Sequence, residues 1–302
     1  MPAEPIESVL DVSALSAAAG SDVAISDISF SLKPGTVAAL ITEPLESGAL
    51  LLDCLCGLQP ASSGTITVGG VDASSSGIPG ASVSMVRGKG AFPTGVTVGE
   101  LLGQLALLLG ESDSAGLLEE FGLSPVADRL LRDLNAENQH LVRLACSWLG
   151  GPKLVVYEGV DRDLSPPRRR LVNRLLRDKR TSGAAIIFTA ESMDVAEAIC
   201  NYVLVIKGDK LVACDTPENL VLAKENWMRV EILTDDELSL EKIGGLDCVN
   251  RVVQHGNRYD VFVHNQFDSV RQVMGFLDEE GIGVRDLRTY RSTLSDVVWE
   301  LL

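Results

Sequence analysis

Residues 37–56 read VAALITEPLESGALLLDCLC. Val37–Ile41 is almost wholly apolar, as a central strand covered on both faces must be. Leu50–Cys56 is leucine-rich and reads as a core helix. Between them, Thr42–Leu50 holds a proline, a glycine, a serine and the two glutamates Glu43 and Glu46, residue types that build a loop from strand to helix. Strand, loop and helix in that order form the repeating unit of α/β architecture.

Outward from this unit the pattern repeats. Thr65–Val68, Leu154–Tyr157, Ala184–Thr189 and Val203–Ile206 read as strands. Thr97–Leu109, Gln139–Leu149, Pro167–Arg177 and Met193–Cys200 have helical periodicity. From Val23 to about Leu222 the expectation is a mixed sheet flanked by helices. After about Asn226 the character changes to strand, helix, strand, strand, helix, strand, from Met228–Leu233 to Val284–Thr289, the split βαβ order of a small ferredoxin-like unit. A closing helix follows, with Thr293 and Asp296 as a capping box. Two domains are expected, 1–225 and 226–302.

The 302 residues carry 26 basic and 42 acidic side chains, a formal charge of −16. That balance argues against a nucleic-acid backbone or an anionic membrane surface as the main ligand. Cys54, Cys56, Cys146, Cys200, Cys214 and Cys248 form no CxxC pair and have no histidine at zinc spacing, so they read as buried, reduced thiols of a cytosolic protein. Met1–Leu10 has no basic residue and no long apolar run, unlike a signal peptide. The apolar stretch Leu101–Leu109 is far shorter than the ~20 residues of a membrane span.

Five stretches carry a family resemblance: 25–41 with 50–72, 91–102 (AFPTGVTVGELL), 134–166, and 188–220. In order and spacing they resemble the ATP-binding subunits of ABC transporters. The PG turn, phosphate loop, segment after the Gln loop, signature helix, Walker B strand, D-loop and switch strand each have a counterpart. The ending SDVVWEL (295–301) is similar to the tail of ATPases that work with type-two export permeases. The resemblance implies a P-loop NTPase-like ABC ATPase fold with a helical subdomain, followed by the α+β ferredoxin-like unit. In the family it also implies ATP and Mg²⁺ as ligands, a dimer, and a membrane permease as partner.

The residues at the matching positions point the other way. A phosphate loop needs glycines whose amides close around phosphates, a lysine, and a hydroxyl for Mg²⁺. The matching positions hold Thr42, Leu45 and Ser47 for glycines, Gly48 for lysine, and Ala49 and Leu50 for the hydroxyls. Glu43 and Glu46 set carboxylates beside the space of a triphosphate, each repelling it by up to roughly 4 kcal/mol near a surface. A helix dipole worth ~0.3–1 kcal/mol does not offset that. The Walker B pair is Glu158-Gly159, the Gln-loop residue Arg87, the switch histidine Ala190 and the D-loop aspartate Ser165. The signature is Asn135-Ala136-Glu137, and the adenine-stacking aromatic falls near Ala19.

These residues also have plain structural readings. Thr42–Leu50 reads as a surface turn with Ser47 capping the helix, and Glu158 as a strand-end carboxylate. Asp161 and Asp163 read as turn residues, and His140, His255 and His264 as surface or helix-face residues. Gly88-Lys89-Gly90 beside Arg87 is a weak anion nest, and Arg168–Arg170 a solvated helix face. The expectation is therefore an inactive ATPase-like subunit that binds no cofactor or metal. It would lie at the inner face of the membrane through a permease, paired with itself or with an active ATPase. A working ATPase with atypical motifs and a soluble scaffold protein are the alternatives.

Overall fold

A computed structural model describes residues 8–20, 23–73, 82–87, 90, 92–110, 114–190, 193–223, 227–264, 267–291 and 293–302. Gly88, Lys89 and the expected boundary at 225/226 lie outside them. The chain divides into two compact units, one running to Thr216 and taking in Leu301–Leu302, the other Pro217–Glu300.

In the first unit the order is β1 (Leu10–Ala19), β2 (Val23–Leu32), β3 (Val37–Glu43), α1 (Leu45–Leu55), β4 (Ser63–Val68), β5 (Val71–Asp72), β6 (Val83–Val86), α2 (Val98–Leu109), α3 (Ser114–Glu120) and α4 (Ala136–Cys146). There follow β7 (Leu154–Tyr157), α5 (Pro166–Lys179), β8 (Ala185–Phe188), α6 (Met193–Ile199), β9 (Tyr202–Lys207) and β10 (Lys210–Asp215). The central sheet has the order β10-β9-β3-β8-β7-β6, parallel except for the edge pair β10 and β9. A second, antiparallel sheet runs β2-β1-β4-β5.

Alternation along the central strands sends side chains into two cores. Val37, Ala39, Val155, Tyr157, Ile186 and Phe188 face one, shared with α2, α4, α5 and α6. Ala38, Leu40, Leu154, Val156, Ala185 and Ile187 face the other, where Leu51, Leu52 and Leu55 of α1 meet β1, β2 and β4. Such strands read as continuous apolar runs because both faces are covered. Before β3, Gly35 sits at φ 72 with its amide on the Ala184 carbonyl. A Cβ there would lie 2.6 Å from the Arg180 carbonyl oxygen, so the turn admits only glycine.

The expected surface turn at Thr42–Leu50 is corrected. β3 continues to Glu43 and α1 starts at Leu45, so only Pro44 separates them. Leucine, glutamate and alanine favour helix, Glu46 in the first turn complements the dipole, and the small Ser47 and Gly48 let the helix abut the strand. α4 likewise starts three residues before the expected Gln139, capped by Asn135, whose Oδ1 accepts the Asn138 amide at 2.9 Å. Thr97 and Glu100 form a capping box at α2.

The second unit contains α7 (Pro217–Leu222), β11 (Trp227–Thr234), α8 (Leu240–Gly244), β12 (Val249–His255), β13 (Arg258–His264), α9 (Phe267–Glu279), β14 (Val284–Arg291) and α10 (Leu294–Leu301). Its antiparallel sheet, ordered β12-β13-β11-β14, is the ferredoxin-like arrangement. Val230, Ile232, Val261 and Val263 pack with Ile243 of α8 and with Val273 and Leu277 of α9. Thr293 and Asp296 exchange the bonds of a capping box at α10.

All six thiols are free. Cys54 and Cys248 are buried and the other four half-buried. Burial pushes Cys56, Cys146 and Cys200 up to about 12 and Cys54 and Cys214 up to about 11.

Leu51→Ala, in the α1 core, is expected to cost about 2–5 kcal/mol in chemical denaturation. Leu107→Ala, at a side chain 80% exposed, is expected to change stability by no more than about 0.5 kcal/mol.

Candidate functional site

The crossing from β3 to α1 is where a phosphate cradle is expected. Thr42 is 8% exposed and its side chain packs on Gly48. A Cβ at Gly48 would lie 2.7 Å from Thr42 Oγ1 and 2.9 Å from its Cγ2. Any side chain longer than hydrogen at 48 would therefore have to push Thr42 aside. The expected cap at Ser47 is corrected: Ser47 is 2% exposed, inside the helix, and its hydroxyl donates to the Gly208 carbonyl at 2.7 Å. The position preceding the helix is Pro44, without a side-chain cap. The Ser47 amide donates to the Pro44 carbonyl, and the Glu43 carbonyl accepts the Gly208 amide at 2.7 Å. Leu50 is buried, while Glu43, Leu45, Glu46 and Ala49 are exposed.

At the end of β7, Glu158 is half-buried, and its carboxylate stands 4.0 Å from the Arg162 guanidinium. Gly159 has φ 68, and a Cβ there would meet the Arg162 Cζ and Nη2 at 3.0 Å. An arginine thus lies where a side chain at 159 would project. The Gly159 amide donates to Thr189 Oγ1 at 2.9 Å, and the Val160 amide to the Thr189 carbonyl at 2.9 Å, joining the ends of β7 and β8. Ala190 follows, packed against the core. Asp163 sits in the turn at φ 57, and Asp161 stands in the same turn, as expected, but buried.

α4 holds this segment at two points. Glu137 accepts the Ser165 amide at 2.9 Å and the Ser165 hydroxyl, and lies 3.8 Å from Arg168. These contacts, led by the hydroxyl of Ser165, hold the Glu137 carboxyl below its usual range. Expected signature and D-loop positions thus meet within one chain, at the start of α5. His140, one helical turn on, donates from Nε2 to the Val160 carbonyl at 3.0 Å. It is 3% exposed, so of the two expected placements the surface is corrected and the helix face stands: it lies on the buried face of α4, and burial lowers its pKa. The i, i+3 spacing of Glu137 and His140 was the available signal that both reach one segment.

Arg143, one turn further, donates to the Gly90 carbonyl and lies over the Phe92 ring, 4.4 Å from its centroid. Arg87 is paired with Asp53 of α1. No hydrogen bond or ion pair among the described residues joins Glu43, Glu46 or Ala49 to Glu158. Near the expected adenine site, Ala17 is buried in the strand pair with Ile25, and Ala19 is exposed. No group of metal-ligating side chains occurs among the described residues.

The fold has close counterparts among solved structures. An ATP-binding subunit of an ABC transporter superposes with a TM-score of 0.65 at 18% identity, over 72% of this chain and 93% of that one. A nucleotide-free ATP-binding cassette gives 0.60 at 16% identity, over 70% and 92%. Among sequences, the Nod factor export ATP-binding protein I of Rhizobium etli is 25% identical over 248 residues, 78% of this chain and 77% of its own length. The zinc import ATP-binding protein of Cereibacter sphaeroides is 27% identical over 207 residues, 67% of this chain and 79% of its own. This chain is similar to ABC transporter ATP-binding subunits in sequence and shares the fold of their solved structures. A methionine import ATP-binding protein of Chlamydia pneumoniae is 25% identical over 250 residues, 77% of this chain and 72% of its own length. No protein-family model matches the chain.

Two outcomes follow for this site. Gly159→Glu is expected to cost about 1–3 kcal/mol, from a left-handed backbone carrying a side chain and a displaced guanidinium. Arg162→Ala is expected to recover part of that loss in a double-mutant denaturation cycle. For His140, the folded pKa lies below the unfolded value of about 6.5, so its contribution is full above that pH and lost as the pH falls below it. His140→Gln is expected to flatten the decline of stability as the pH falls below about 6.5, measured by urea midpoints.

Proposed function

We propose that this protein is a nucleotide-independent subunit of a membrane transport complex, docked on a permease and paired with a second copy or with an active ATPase. The observation that carries the reading is the contact of Thr42 with Gly48 behind a one-residue strand-to-helix connection. A phosphate cradle works by lending free amides and a lysine to an anion. Here the Ser47 amide and hydroxyl are engaged with Pro44 and Gly208, and the residue at the lysine position has no side chain.

The remaining positions support the same reading. The side chains present do not fit a magnesium nucleotide. Glu158, the one carboxylate at the Walker B position, faces Arg162 rather than open space. Gly159 has nothing with which to hold a water. Glu137, at the signature position, is engaged with Ser165 of its own chain, instead of reaching toward a partner's phosphate. Arg87 puts a cation, bound to Asp53, where the family's glutamine would contact Mg²⁺.

Selective change is the argument for a transport role. The apolar strands and packing helices of the fold persist, while the nucleotide contacts do not. The curated relatives are named for export of Nod factors and import of zinc and methionine, and the docking surface is the part of such a subunit that needs no nucleotide. A permease element would seat between α2 and the side chains of Arg87, paired with Asp53, and Phe92, under Arg143. No helix among the described residues is long and apolar enough to cross a membrane, so attachment at the inner face would run through the permease.

Two measurements test the proposal on the full chain. Mg-ATP at 100 times a working dissociation constant would stabilise the fold by about 2.7 kcal/mol; no rise in Tm is expected at millimolar Mg-ATP. A clear rise, or turnover of ATP by the purified chain, would establish the working-ATPase reading instead. Tagged protein purified from detergent-solubilised membranes is expected to bring a multi-span permease with it, and recovery as a lone soluble monomer would refute the transport role.

A further inference from the structure

α5 has the sequence PPRRRLVNRLLRDK, in a chain whose formal charge is −16. Val172, Leu175 and Leu176 are buried and fix which way the helix faces. Arg170, Arg174 and Arg177 are left exposed at i, i+4 and i+7, a single stripe along the outer side. Arg180, in the turn that follows, is exposed as well.

Two of the neighbouring cations are paired with carboxylates of the chain, and Arg177 donates from Nε to the Asn173 carbonyl of its own helix at 3.3 Å. Arg168 pairs with Glu137 at 3.8 Å, and Lys179 with Glu120 at 2.9 Å. Among the described residues no carboxylate lies within ion-pair distance of Arg170, Arg174, Arg177 or Arg180. Like charges at i, i+4 weaken a helix, and the chain has 42 acidic residues with which to neutralise them. The stripe is also arginine throughout. Solubility alone needs only charge, which lysine supplies; the planar guanidinium is distinguished by its two-pronged grip on carboxylates and its weaker hydration.

We propose that the outer stripe of α5 docks an acidic helical segment of a partner protein, with carboxylates spaced i, i+4, i+7 to meet Arg170, Arg174 and Arg177. Charge complementarity selects the ligand class. The length of the stripe selects its form, since two helices laid side by side present matching rows. The net charge of the chain disfavours an extended polyanion such as nucleic acid or an anionic bilayer, which would face the whole acidic surface. A short acidic segment interacts mainly within a Debye length of about 8 Å, where the arginines dominate. This inference does not depend on whether the chain binds nucleotide.

The test uses the full chain and a fluorescent helical peptide with glutamates at i, i+4 and i+7, alongside its glutamine twin, read by anisotropy. The glutamate peptide is expected to bind wild type and to weaken by about tenfold or more on Arg170→Glu/Arg174→Glu/Arg177→Glu. It should also weaken as salt rises from about 50 to 300 mM, and the glutamine twin should not bind. Replacing the same three residues with lysine is expected to lose several-fold through the missing fork geometry. All three side chains are exposed, so an unchanged Tm certifies the fold, and Arg174→Glu alone is the fallback variant. Binding of the peptide equally to wild type and the charge-reversed chain would overturn the proposal. So would binding of phosphatidylglycerol vesicles without the peptide, or arginine-dependent self-association without it.

Discussion

The passage of β3 into α1 across Pro44 alone is the constraint from which the rest of the first unit follows. It brings the helix against the strand so closely that Gly48 must lack a side chain and Thr42 must lie flat on it. With that contact made, α1 is held between the central sheet and the antiparallel sheet, and its leucines fill the core between them. The same closeness leaves Ser47 no route to solvent, so its hydroxyl turns to the Gly208 carbonyl. Close packing of strand on helix is what this crossing supplies, with Thr42 filling the space beside Gly48.

α4 organises the opposite side of the sheet. Glu137, His140 and Arg143 follow one another at three-residue steps and reach three places outside α4: the start of α5, the turn after β7, and the Gly90 carbonyl. Loops held by polar contacts to a common rigid element move together or not at all. Three separate segments are thus tied to one helix by side chains of the same chain.

The strands buried on both faces were legible because no alternation interrupts them: Leu154–Tyr157 reads in the sequence as it stands in the sheet. The ferredoxin-like order of the second unit was equally plain, from alternating apolar positions in β11 and β13 and from the turn at Gly256. β1 was not. Its partners shift register between Val12 and Leu15, with Ala14 at φ 49, and the bulge breaks the period of two on which a strand reading rests. The start of α1 was missed for a different reason. Proline and glycine within Thr42–Leu50 signal a loop, yet proline before the first turn is compatible with a helix and glycine was required by packing. His140 was hidden because burial of a polar ring depends on one distant carbonyl, that of Val160, and the i, i+3 spacing with Glu137 shows a shared helix face without showing what covers it.

Arg162 lying over a left-handed Gly159 bears on the history open to this chain. A glutamate at 159 asks for two things at once, a backbone moved out of the left-handed region and a guanidinium swung clear of Glu158. Either change alone passes through a less stable protein, and neither by itself yields an acid free to act. Position 159 is thus epistatic with its neighbour, and substitution one residue at a time meets a barrier that a paired change avoids.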